Sequence, residues 1–287
     1  VIYRRLASPL HAARAGAGAA YAAALAIVAL ESDHPLILGA VIVAVVAAAL
    51  LAGCRGALRT GLLIGVPMAL LVAVVNPFVT RDGLTVIARL GDLPPFGQLD
   101  LTLEATAYGA VLGLRALALV LVFALYSAAV DPDELLGLAR RVAPRSALTA
   151  TLATRMVPIL ARDARRMAEA QRSRAHRPAP RLALMRAVAG GALDRAVDVA
   201  ATLELRGWAG TRPRRRAAAP WSRHDIAFAA SAVAMVALAL LVGPGGVAPF
   251  SAYPAIHADT DAGTIAVALS VVAVALAPFA ERRGIAA

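Results

Sequence analysis

Apolar residues fall into two patterns along the chain. Near both ends they form long unbroken runs, and between them they recur at helical spacing among arginines. The unbroken runs are Ala17–Leu30, Leu36–Leu51, Gly61 to about Val79, Ala105 to Val130, Ile226–Val242 and Thr264–Phe279. Each approaches the roughly 20 residues that a helix needs to cross a bilayer. They are continuously apolar rather than alternating, which predicts spanning helices and not a barrel. A basic start followed by an apolar run is also the layout of a signal peptide. A second run follows at once after the polar turn Glu31–Pro35, and this favours a retained first span. Pro67 and Asn76-Pro77 are expected to bend or end the third span. Cys54 to Arg59 reads as a tight basic loop, and Thr80–Leu103 as a mixed loop with a short surface helix over Leu84–Leu90. Arg115 lies deep in the fourth span. A charge there is costly, so the side chain is expected to face protein or snorkel, in a structural role.

The middle pattern begins at Asp131-Pro132-Asp133-Glu134. Asp131 can cap, Pro132 suits a first helical position and Glu134 stands where a capping-box acid reaches back. Leu135, Leu136, Leu138 and Val142 give that short helix an apolar side, and Pro144 ends it. A longer helix is predicted from Ser146 to about Arg172. Leu148, Leu152, Met156, Ile159 or Leu160, and Met167 form its apolar stripe, and Pro158 is expected to kink it. Ala175–Pro180 reads as a break. A further helix is predicted over Arg181–Leu205, with Leu182, Met185, Ala189, Leu193, Val197, Ala200 and Leu203 on one face, and Gly207 stops it. The pattern divides the chain into a membrane region at 1–130, a two-helix domain at 131–224 and a second membrane region at 225–287.

Charge sharpens this division. The 287 residues carry a net charge of +11, and Asp131–Arg223 alone holds 19 Arg against eight acids, 19 − 8 = +11. The rest of the chain is neutral on balance. Only Arg81 and Arg89 fall in loops on the side away from the central block, so arginine bias places the block and both termini in the cytoplasm. No lysine is present, which excludes a Walker A loop and leaves any nucleotide energy to a partner chain. The single cysteine, Cys54, forms no intrachain disulfide, and the five histidines show no metal-ligand spacing. A membrane-tethered basic region without interleaved aromatics is poorly suited to nucleic acid. No paired acids or nucleophile–base dyad stands within the spans, which argues against an intramembrane enzyme.

Each long central helix finishes on an arginine flanked by small or apolar residues: Ser173-Arg174-Ala175 and Leu205-Arg206-Gly207. Two readings of these ends are open. Arginines near helix C-termini are favoured by the helix dipole, and a basic face attracts anionic lipid. A small neighbour also lets a guanidinium protrude into a partner's groove and pair with a carboxylate.

These residues resemble the transmembrane T component of energy-coupling factor (ECF) transporters, including its cobalt/nickel-type members. The resemblance extends over most of the chain, through Asn76-Pro77-Phe78, Leu103-Glu104-Ala105, Gly113-Leu114-Arg115, Asp131–Leu136, Thr154–Pro158, Glu169–Ala175 and Leu203–Trp208 in family order. It implies an all-α polytopic membrane protein of about six spans with a pair of long amphipathic coupling helices, in the inner (cytoplasmic) membrane. It implies a scaffold without a catalytic site or cofactor, working with two ABC-type ATPases, a substrate-binding S component and membrane lipid. Ser173, Arg174, Ala175, Leu205, Arg206 and Gly207 would dock the ATPases, with Arg155, Pro158, Gln171 and Glu204 supporting the coupling helices. The first motif usually ends in glycine, and here it ends in Ala175. The alternative is a solute-conducting ABC-type permease, which should show one coupling segment and polar residues along several spans. Two motifs and very apolar spans favour the scaffold.

Overall fold

The computed structural model describes residues 3, 5–80, 83–93, 97–139, 143–173, 181–207, 220–243, 246–253, 255–258 and 260–281. In chain order the elements are α1 (Pro9–Ala12), α2 (Ala15–Glu31), α3 (Pro35–Leu51) and α4 (Arg55–Val79), then strands β1 (Val86–Leu93) and β2 (Gly97–Thr102). Next come α5 (Leu103–Ala129), α6 (Pro132–Ala139), α7 (Pro144–Arg172), α8 (Arg181–Leu205) and α9 (Arg223–Val242). The short strands β3 (Phe250–Ser251) and β4 (His257–Ala258) lead into α10 (Ala262–Leu276) and a 3-10 turn at Ala277–Phe279. All six predicted spans are helices. Four described helices, α4, α5, α9 and α10 with its 3-10 turn, are long and apolar enough to cross a membrane; α2 and α3 are apolar at 17 residues each. The chain forms two compact units, one of Val1–Leu135 with Trp221–Ala287 and one of Leu136–Pro220.

In the first unit, α2 packs between α5 and α9, α3 packs between α5 and α10, and α4 lies against α5. Tyr21, Leu25, Ile37, Leu38, Leu121, Phe228 and Met235 are buried at its centre. The rings of Tyr21, Phe228 and Phe279 meet edge to face, with centroids 5.2 to 6.4 Å apart. Such pairs add to area burial because the positive ring edge meets the negative face.

Helix ends in this unit are closed by side chains from other helices. Pro278 has no amide hydrogen, so the carbonyl four residues back, that of Val274, loses its helical donor. Ser231 Oγ of α9 donates to that carbonyl at 2.7 Å, and Tyr21 Oη donates to the next one, Ala275 O, at 2.9 Å. At the other end of the unit Arg115 does the same for α2. Its Nε donates to Ala29 O (3.2 Å) and Nη2 to Ser32 O (2.8 Å), with an ion pair to Asp33. The costly arginine therefore faces protein, as expected. Glu134 differs from expectation. Rather than capping its own helix, its carboxylate accepts from Ala15 N at the start of α2 (3.2 Å), beside Arg14 N, which donates to Asp225 (2.7 Å). Asp225 also completes a capping box with Ser222 at the start of α9.

Small residues set the α4–α5 contact. Each helix carries a Gly-x-x-x-Gly pair, Gly61/Gly65 on α4 and Gly109/Gly113 on α5. A Cβ placed at Gly109 would stand 2.8 Å from Ala73 O, and one at Gly113 would stand 2.6 Å from Ala69 O. Side chains at those positions would drive the backbones apart, and small residues at this spacing are how membrane helices approach closely.

Two local expectations are overturned. The stretch Leu84–Leu90 is no helix: Val86–Leu93 pairs antiparallel with Gly97–Thr102. Thr85-Val86-Ile87 is β-branched, and the turn composition that follows favours a hairpin. The Cys54–Arg59 loop is mostly helix, since α4 begins at Arg55. Of the prolines expected to bend or end the third span, Pro67 does not end it, and α4 stops at Val79, two residues beyond Pro77. Pro144 opens α7 as its first residue, where its missing amide hydrogen costs nothing, and Pro158 stands within the continuous helix.

Candidate partner-docking site

The second unit consists of α7, α8 and the segments beside them. The two helices pack together, and Arg195 Nη2 of α8 meets Asp163 Oδ2 of α7 at 2.9 Å. Among the described residues this is the one ion pair between them. Leu152, Met156, Ile159, Leu160 and Met167 of α7 are half-buried, as the predicted stripe requires.

Of the face read from its sequence, helix α8 half-buries only Leu203. Leu182, Met185, Leu193 and Val197 are 59 to 69 % exposed. The half-buried line is a neighbouring one, Leu184, Val188, Ala192, Arg195 and Val199. Both lines are apolar and about a quarter-turn or more apart, so periodicity alone does not choose between them. Asp163 decides, because its carboxylate needs the guanidinium of Arg195. The aliphatic face of α8 is left open.

The motif ends differ in how they close. At the end of α7, Ser173 is exposed; its amide donates to Glu169 O (3.1 Å) and its hydroxyl to the same carbonyl (2.9 Å). Arg174, Ala175, the predicted break to Pro180, Val142 and Trp208 lie outside the described residues. At the end of α8, Arg206 N donates to Thr202 O (3.2 Å) and Gly207 N to Glu204 O (2.8 Å). Gly207 has φ +69°, the left-handed conformation in which glycine ends helices without a Cβ penalty. Leu205 is 89 % exposed and Arg206 is exposed, with no ion pair among the described residues. A free guanidinium beside an apolar leucine and a glycine offers a charge-assisted, bidentate contact for a partner's carboxylate.

Of the supporting residues, Arg155, Pro158 and Glu204 are exposed and Gln171 is half-buried. Pro158 O accepts from Arg162 Nε (3.3 Å). The structure thus brings Gln171 and Ser173 together at the end of α7, and Glu204, Leu205, Arg206 and Gly207 together at the end of α8. Arg155 and Pro158 stand several turns earlier on α7. The Asp163–Arg195 pair was not among the expected residues. Its signal in the sequence is an acid and a base on adjacent half-buried lines, which becomes visible once the facing side of α8 is known. Among the described residues no three His, Cys, Asp or Glu side chains gather as metal ligands.

No curated protein matches the chain. The profile of the CbiQ family, described as cobalt transport protein, matches residues 7–217, which takes in α1 through α8 and both arginine motifs. With its apolar helices and paired basic helices, the chain is a multi-pass membrane component of transport, and it belongs to the CbiQ family of cobalt transport proteins, the family of ECF T components.

Proposed function

We propose that this chain is the T component of an ECF-type importer in the inner membrane. Both termini and the α7–α8 pair face the cytoplasm. It hydrolyses nothing itself: two ABC-type ATPases supply the energy, and a separate S component binds the substrate, a cobalt ion by the family description. Arg174 and Arg206 dock one ATPase each, pairing with carboxylates in its groove, and Ser173, Ala175, Leu205 and Gly207 shape the contact. Arg155, Pro158, Gln171 and Glu204 support the helices that carry these ends. When the ATPases close, α7 and α8 move and reorient the S component seated on their apolar faces.

The observation that carries the reading is the end of α8, where an exposed arginine with no ion pair among the described residues stands just before the glycine that closes the helix. An arginine held there only by the helix dipole needs no partner, whereas this one is flanked by a nearly bare leucine that water disfavours. Co-expression with ATPases encoded nearby, purified through a tag on this chain, tests it. Stoichiometric ATPases are expected with the wild-type chain. Arg206→Ala and Arg174→Ala should each lower recovery, by roughly 2–5 kcal/mol in affinity if the partner carboxylate is left buried. A wild-type preparation without ATPase would defeat the proposal.

A further inference from the structure

The ion pair between α7 and α8 stands at the same sequence distance from the arginine motif that follows each helix. Asp163 precedes Arg174 by eleven residues, and Arg195 precedes Arg206 by eleven. Eleven residues make close to three helical turns and about 16 Å of rise. After three turns a helix returns to the same side, so Arg206 falls on the side of α8 that carries Arg195, and the described arms from Asp163 to Ser173 and from Arg195 to Leu205 are both ten residues long. Helical hydrogen bonding continues to Arg206 on α8, whose amide donates to Thr202 O, and to Ser173 on α7, whose amide donates to Glu169 O.

We infer that Asp163–Arg195 is the pivot of the two helices, a positioning contact from which both docking ends extend as arms of equal length. The inference rests on the T-component reading. Apolar contact is non-directional and tolerates sliding and rotation. This matters for α8, whose two apolar lines would let either side meet α7. A charge pair fixes one point and one rotation, which is the best-attested use of partly buried ionic groups. The pair is sheltered, with Asp163 26 % and Arg195 37 % exposed, and the other terminal nitrogen of Arg195, Nη1, is buried with no hydrogen-bond partner among the described residues. With the pivot in place, a displacement at the motif ends turns both helices about one point and carries the open face of α8 with them. Without it, the ends move and the rest slips.

Two measurements test the pivot. In the chain alone, spin labels at Ser173→Cys and Leu205→Cys in a Cys54→Ala background report the spacing of the two ends. Cys54 is buried, which also pushes its thiol pKa up. A narrow distance distribution is expected with the native pair, a broadened or shifted one in Asp163→Arg, and a narrow one again in Asp163→Arg/Arg195→Asp. In the full complex with ATPases and S component in proteoliposomes, ATPase recovery should stay unchanged across these variants. Cobalt uptake per ATP hydrolysed should fall at least about five-fold in either single reversal and recover in the double. An unaltered distance distribution in the single reversals, or a double reversal no better than the worse single, overturns the pivot. Failure of the wild-type chain to recover ATPases strikes the T-component reading instead, and the label distances then judge the ion pair by themselves.

Discussion

Ser231 makes one hydrogen bond that the backbone cannot make for itself, to the carbonyl that Pro278 leaves without a donor. Ser231→Ala should therefore destabilise the protein by about 1–3 kcal/mol, the cost of an unmet buried acceptor. Ser270 provides the control: its exposed hydroxyl bonds Ala266 O within its own helix, and Ser270→Ala should leave the melting temperature in detergent nearly unmoved. Arg115 carries a larger burden, since it holds two carbonyls at the end of α2 and the carboxylate of Asp33. Arg115→Leu should lower the melting temperature more than Ser231→Ala. Arg115→Lys should recover only part of the loss, because an ammonium cannot fork as a guanidinium does. That Arg115 needed a protein partner was legible from its depth in an apolar run. Which partner it takes was not, because Ala29 and Asp33 lie more than eighty residues earlier and only packing brings them near.

Among the elements, α4 and α5 show what close approach demands. Gly113→Leu should separate the two helices, because even a methyl group there meets the Ala69 carbonyl. A fall in the melting temperature in detergent would report the separation. In α8 the neighbourhood is open: among the described residues nothing stands within 4 Å of a Cβ at Gly190 or Gly191. Each Gly→Ala change there should stabilise α8 by roughly 1 kcal/mol through helix propensity alone, read as added helical signal on heating. The long apolar runs were legible as helices because bilayer length and unbroken hydropathy leave few alternatives. The β1–β2 hairpin was misread as a helix because the seven residues Leu84–Leu90 are too few for periodicity to separate helix from strand. The facing side of α8 was ambiguous for the reason already given, two apolar lines on one helix. The motif ends were found by repetition rather than by pattern, and Gly207 closes α8 as its sequence indicates.

At the scale of the molecule, charge and greasiness are kept apart: a neutral set of apolar helices and one basic helical pair. The apolar set is not uniform. Helix α4 has α5 as its main neighbour, and Leu63, Leu70, Leu71, Val74 and Val79 on its other sides are 60 to 72 % exposed. An apolar outer surface of this kind suits lipid chains, which accept any aliphatic shape. A library of substitutions along α4 should therefore read as a helical stripe code. Positions 63, 70, 71 and 74 should tolerate Leu, Ile, Val, Met and Phe interchangeably, while Gly61, Gly65, Ala69 and Ala73 should accept almost nothing larger. Sequences drifting under selection would come to differ first on the outside of α4, and its inner line would stay recognisable longest.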